Sequence, residues 1–221
     1  MDTLLATFRR TFEGGVYKHR ISTVGDRIAA YLYEDLVLLG RSSKLLTRIA
    51  AAEVVVNTFN RVTGKIGRRG DGTLGWRVPS AAPQTENGYS VRRGPVAQVQ
   101  IAVEVKIIAT KMLAQIDRVM TDLRSQAATF RNLNVDALRV AVVGVNFADT
   151  YTGYEGARAF DAKTPPAREA PEVVRRLERD VAPHYEELVT LRFKATNRPP
   201  YPFSWVNEPE TRDVYSSALV R

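Results

Sequence analysis

Residues 96–108, VAQVQIAVEVKII, alternate and are rich in Val and Ile, which predicts a β-strand. Residues 110–131 follow with Met112, Ile116, Val119, Leu123, Ala127 and Phe130 on one stripe at helical spacing. Residues 138–147, LRVAVVGVNF, form an almost wholly apolar run, typical of a buried central strand. Strand, long helix and buried strand make a βαβ unit, so the two strands are expected to be parallel, joined by a right-handed crossover. The expected fold class is α/β, a mixed central sheet flanked by helices.

Outward from this unit, the first 60 residues read as a helical N-terminal region packed on the core. A short helix over 1–12 stops at Gly14-Gly15. A second over 25–39 shows Ile28, Leu32, Leu36 and Leu39 and ends at Gly40. A third, capped at Ser42-Ser43, is expected to run to about Asn60. Residues 61–221 then form the core with a C-terminal embellishment, the whole making one compact domain. After Phe147 a loop and a Pro-rich stretch are expected, then a helix near 168–181. A strand follows over 188–194, with Val189, Leu191 and Phe193 on its inner face and Arg192 and Lys194 on its outer one. The tail RPPYPFSWVNEPE is extended and aromatic, with Tyr201, Phe203 and Trp205 covering the core, and a short helix ends the chain.

Composition narrows the chemistry. The 221 residues contain no Cys and two His (His19 and His184), which excludes a disulfide framework, a thiolate nucleophile and any Cys-based metal site. Any catalytic metal must therefore be held by carboxylates, which favours Mg²⁺ with Mn²⁺ as a substitute. Lys and Arg number 32 against 24 Asp and Glu, a net charge of +8 that suggests a polyanionic partner such as nucleic acid. The charge is concentrated over 61–93, where Arg61, Lys65, Arg68, Arg69, Arg77, Arg92 and Arg93 face only Asp71 and Glu86. Arg68, Arg69, Arg77, Arg92 and Arg93 are the expected nucleic-acid contacts. No signal peptide and no run of about 20 apolar residues is visible, so a cytoplasmic protein without a membrane partner is expected.

Glu104 and Lys106, in VEVKI, lie two apart on the first strand and so share a face. Charges in so apolar a strand are costly unless paired or liganded. They also stand near its carboxyl end, where open α/β sheets gather their ligands. A carboxylate there holds a divalent cation, and a lysine beside it stabilises the charge of a phosphoryl transition state or helps orient and deprotonate water. Asp71, in GRRGDGTLG, is the best second carboxylate, with Glu86 as the alternative. A second acid-x-Lys triplet, Asp161-Ala162-Lys163, lies in a Pro-rich loop without a strand or following helix and is set aside.

Over roughly residues 43–147 the chain resembles the PD-(D/E)xK nuclease superfamily, which includes many restriction endonucleases. The match is Asp71, then Glu104-Val105-Lys106, then the helix over 110–131 and the strand over 138–147; the tract VVGVNFADTYTGYEG looks like the stretch after the core helix in restriction-type members. The resemblance implies a restriction-endonuclease-like fold and a Mg²⁺-dependent endonuclease acting on DNA. Asp71 and Glu104 would bind metal and Lys106 would assist the attacking water. It adds Glu53 as a further metal ligand on the preceding helix, with Glu34 as a substitute, and Gln115 as a glutamine looking back at the site. The chain departs from the pattern in carrying Gly70 where proline is expected and in a long gap from Asp71 to Glu104. A homodimer and a role in restriction or anti-phage defence are further expectations. The alternative is a catalytically inactive DNA-binding module, or a subunit of a larger nucleic-acid-processing complex. Nothing in the sequence separates DNA from RNA.

Overall fold

The computed structural model describes residues 2–18, 23–57, 61–62, 65–66 and 70–221, with backbone alone at 61–62 and 65–66. Helices α1 (Thr3–Arg10), α2 (Thr23–Leu39) and α3 (Ser43–Ala50) open the chain. Strand β1 (Val54–Asn57), the short pair β2 (Arg61–Val62) and β3 (Lys65–Ile66), β4 (Gly72–Arg77), β5 (Arg93–Gly94) and β6 (Val96–Ile108) follow. Then come α4 (Met112–Leu133), β7 (Leu138–Asn146), the hairpin β8 (Thr152–Glu155) and β9 (Arg158–Asp161), and α5 (Pro166–Asp180). Strands β10 (Glu187–Ala195) and β11 (Phe203–Trp205) and helix α6 (Glu208–Val220) complete it.

The described strands build a seven-stranded sheet in the order β11-β10-β7-β6-β4-β1-β5. β6, β7 and β10 run parallel, and β4 is antiparallel to both β6 and β1. The expected βαβ unit is therefore present as β6-α4-β7, and the sheet is mixed. Alternation along β6 sorts its side chains into two layers. Ile101, Val103 and Val105 pack under α1 and α2, whereas Ala102 and Ile108 face the α4 side.

The helix expected through Asn60 stops at Ala50. Ala52 turns the chain with φ 54°, and Val54, Val55 and Val56 enter the sheet as a fully buried strand. Three consecutive β-branched residues suit a two-sided sheet position better than a helix. Ser42 caps α3 as expected, its hydroxyl accepting from the Leu45 amide at 3.2 Å. The segment expected as loop after Phe147 contains the hairpin β8–β9. In the aromatic tail Phe203 and Trp205 cover the core as expected, packed against Phe8.

Two polar anchors fix α2. The Tyr33 hydroxyl donates to the carbonyls of Gly72 and Ile101 at 3.1 and 3.3 Å, which pins the helix across β4 and β6. Asp35 is fully buried and accepts from the Thr3 and Leu4 amides, both at 3.0 Å, and from the Tyr215 hydroxyl at 2.7 Å. Its carboxylate thus caps the first turn of α1 and holds α6 at the same point. No helix among the described residues is long and apolar enough to cross a membrane.

Candidate active site

β4 ends its pairing with β6 at Gly72, opposite Val103, and Asp71 takes over from there. Its amide donates to the Val103 carbonyl at 3.1 Å, and its carboxylate accepts from the Val105 amide at 2.7 Å. A side chain thus takes the place of a strand carbonyl, and the two bonds bracket Glu104. Glu104 and Lys106 point to the α4 side by alternation, and the Lys106 Nζ lies 2.7 Å from the Glu104 carboxylate. Asp71, Glu104 and Lys106, read from the sequence as one constellation, come together at the carboxyl half of β6.

Gly70 explains the departure from the nuclease pattern. Its φ of +59° is closed to proline, whose ring holds φ near −65°. A Cβ there would also collide with the Phe130 ring. Gly25 makes a second close approach, since a Cβ on it would overlap the Asp71 carboxylate. The first turn of α2 therefore lies directly against Asp71 and brings Asp26 near it.

The electrostatics follow from this crowding. Burial pushes the Asp71 carboxyl up to about 7, and the negative charges of Glu104 and Asp26 act in the same direction. The Val105 amide and the Lys106 ammonium oppose the shift without cancelling it. Burial works to lower Lys106, but the adjacent Glu104 outweighs it, and Asp71 and Asp122 add to the hold, so its pKa lies above the ordinary lysine value. Lys106 is accordingly a fixed cation facing two carboxyl groups.

This donor set fits a hard divalent ion. Two carboxylates whose charges oppose one another are the kind of oxygen ligands Mg²⁺ takes from a protein when substrate phosphate and water complete its shell. No cluster of three or more His, Asp or Glu side chains able to hold a metal occurs among the described residues.

The remaining expected site residues divide sharply. Glu53 is exposed and precedes β1, its carbonyl accepting from the Arg77 amide at 2.8 Å. That is the far end of β4 from Asp71, roughly 20 Å away over six residues of strand. Glu53, expected on the helix before the sheet, instead lies beyond that helix's end at Ala50, and the length of β4 sets it apart from Asp71 and Glu104. Its substitute Glu34 accepts from the Ser90 and Val91 amides at 3.0 Å and is used in holding that loop. Gln115 turns back on its own helix start, donating to the Thr110 carbonyl at 3.3 Å. Glu86, the alternative carboxylate, is exposed on a loop and pairs with Arg93.

Among the expected nucleic-acid contacts, Arg68 and Arg69 lie outside the described residues, as does His19. Arg77 is a structural clamp. Its guanidinium donates to the carbonyls of Ala52 at 2.8 Å, Val78 at 3.4 Å and Pro79 at 3.3 Å, and also to that of Ala81. Arg92 is exposed, and Arg93 sits over the Tyr89 ring at 5.3 Å. The sequence reading missed Asp26 and Gly25. An acid and a glycine in a first helical turn carry no mark of a site until α2 is laid across β4. No protein-family model, no curated protein and no solved structure matches the chain.

Proposed function

We propose that the chain is a metal-dependent endonuclease that hydrolyses DNA phosphodiester bonds. One observation carries the reading. Asp71 brackets Glu104 through the β6 main chain while Lys106 closes on the same carboxylate, an acid–acid–lysine set at the carboxyl half of a central parallel strand. The net charge of +8 and the likeness of Asp71 and Glu104-Val105-Lys106 to the PD-(D/E)xK pattern support the same substrate class. A role in restriction or anti-phage defence, a homodimer and a restriction-endonuclease-like fold belong to this proposal.

In the reaction, water attacks phosphorus in line, the phosphorus–oxygen bond to the leaving oxygen breaks, and a proton passes to that oxygen. An ion held by Asp71 and Glu104 would supply charge neutralisation at the phosphate and a lowered water pKa beside it. Val105 fixes the Asp71 carboxylate through its amide, so the acceptor geometry is set by the sheet and not by a mobile rotamer. Lys106, held cationic by Glu104, places its charge where the phosphoryl oxygens develop negative charge. Glu104, 6 % exposed, keeps this cation from swinging into solvent.

The test is incubation of supercoiled plasmid with the protein, with and without Mg²⁺ or Mn²⁺, beside Glu104→Ala and Lys106→Ala. Metal-dependent nicking that both variants lose is the expected result. Gel shifts without cleavage in any metal, unchanged by the two substitutions, would replace the nuclease by an inactive DNA-binding module.

A further inference from the structure

A second cluster lies a short way along α2 from Asp71. Tyr31 and Tyr89 pack with ring centroids 5.1 Å apart at 34°. The Arg27 guanidinium, one helical turn before Tyr31, is close enough to act on the Tyr89 hydroxyl. Arg93 covers the Tyr89 ring at 5.3 Å, and Arg92 is exposed beside it. The loop that presents Tyr89 is not loose. Glu34 grips it through the Ser90 and Val91 amides, each at 3.0 Å, and through the Ser90 hydroxyl.

Charge decides what this surface suits. Its two carboxylates are engaged, Glu34 by main-chain amides and Glu86 by Arg93. Arg27 and Arg92 remain exposed to solvent, so the patch is cationic with two half-buried tyrosine rings at its centre. Aromatic rings interleaved with arginines form the surface on which unpaired bases stack while the backbone is neutralised. The cluster's Arg27 and Tyr31 lie on the same helix that reaches Asp71. Gly25 touches Asp71, and Tyr31 follows six residues later on the same helix, roughly 9 Å or two to three nucleotide steps away.

We propose that Tyr31, Tyr89, Arg27 and Arg92 form a stacking platform for unpaired nucleotides of the DNA strand flanking the cleaved bond. The inference rests on the nuclease reading above and narrows it, because the preferred substrate then carries single-stranded DNA next to the cut. Tyr89 supplies the ring face, Tyr31 backs it and fixes its tilt, and the two arginines meet phosphates on either side.

The test measures binding in EDTA by fluorescence anisotropy, using labelled oligo(dT) and a blunt duplex of equal length. The parent protein should prefer the single strand. Tyr89→Leu should weaken that binding about tenfold and Tyr89→Phe no more than about twofold, since the ring is what stacks. Arg27→Gln, an exposed change that leaves the fold intact, should reduce the slope of log affinity against log salt by about 0.7. Oligo(dT) binding that is unchanged in both Tyr89→Leu and Arg27→Gln overturns the platform, and so does a parent preference for the duplex. Plasmid nicking in Mg²⁺ on the same preparations separates the two readings. Nicking with unchanged variants removes the platform alone, and binding losses without any nicking remove the nuclease alone.

Discussion

Replacing Asp71 by Asn should stabilise the protein in the absence of metal, and increasingly so as pH rises towards and past 7. Asp71 titrates at about 7 in the fold against an ordinary 3.8, a rise of about 3 units, or about 4 kcal/mol at 1.36 kcal/mol per unit. For a carboxyl with a raised pKa, the folded state binds its proton more tightly than the unfolded chain does. The associated stability is fully present below pH 3.8 and is lost as pH rises through about 7. At pH 8 the fold therefore carries the cost of an ionised Asp71 against Glu104 and Asp26. Asn removes that charge and keeps an oxygen for the Val105 amide. The expected gain at pH 8 is about 2–4 kcal/mol, or roughly 4–16 °C in Tm for a domain of this size. By pH 5 the gain should shrink by roughly 2–3 kcal/mol, because the parent carboxyl is then largely protonated in the fold while the unfolded chain's is still mostly ionised. Thermal unfolding followed by circular dichroism in EDTA at both pH values reads this directly. An Asn variant that melts at or below the parent temperature at pH 8, or gains equally at pH 5, would refute the crowded-carboxylate account. Mg²⁺ should raise the parent Tm more at pH 8 than at pH 6, and should leave the Asn variant unmoved.

Three other substitutions probe separate parts of the reasoning. Lys106→Met should lower plasmid nicking by about a hundredfold or more while leaving DNA binding in EDTA within about threefold. Gly25→Ala should push the Asp71 carboxylate off the Val105 amide and cost about a hundredfold in nicking rate, although it touches neither Glu104 nor Lys106. Arg77→Ala should destabilise by about 2–4 kcal/mol in urea unfolding, through carbonyls of Ala52, Val78, Pro79 and Ala81 left without their donor, and should leave oligonucleotide affinity unchanged. A loss of affinity with stability intact would return Arg77 to the nucleic-acid surface.

The βαβ unit and the acid–lysine strand were legible because long alternation and a long apolar stripe leave few alternatives. The α3–β1 boundary was not. Ala51, Ala52 and Glu53 contain neither glycine nor proline, and the left-handed turn falls on Ala52, whose composition announces nothing. A helix extended past that point carries Glu53 with it and makes it look like a ligand. Arg77 misleads for a related reason, because a basic window says how much charge is present and not which guanidinium is consumed by carbonyls. The pairing of Asp71 with Glu104 was readable from residue type. The pressure of Gly25 and Asp26 on Asp71 was not, because it comes from the angle at which α2 crosses the sheet, set by Tyr33 reaching Gly72 and Ile101.

The Asp35 carboxylate has a bearing on how this molecule comes apart. It ties α1 and α6, elements separated by almost the whole described chain, to one buried point on α2. Neither helix can lift away without stripping a hydrogen-bond donor from a carboxylate that has no water to replace it. The two should open as one cooperative unit, so their amides should exchange with solvent deuterium at a common opening free energy despite having no sequence neighbours in common. Asp35→Asn should loosen both helices together while the β6-α4-β7 unit stays protected.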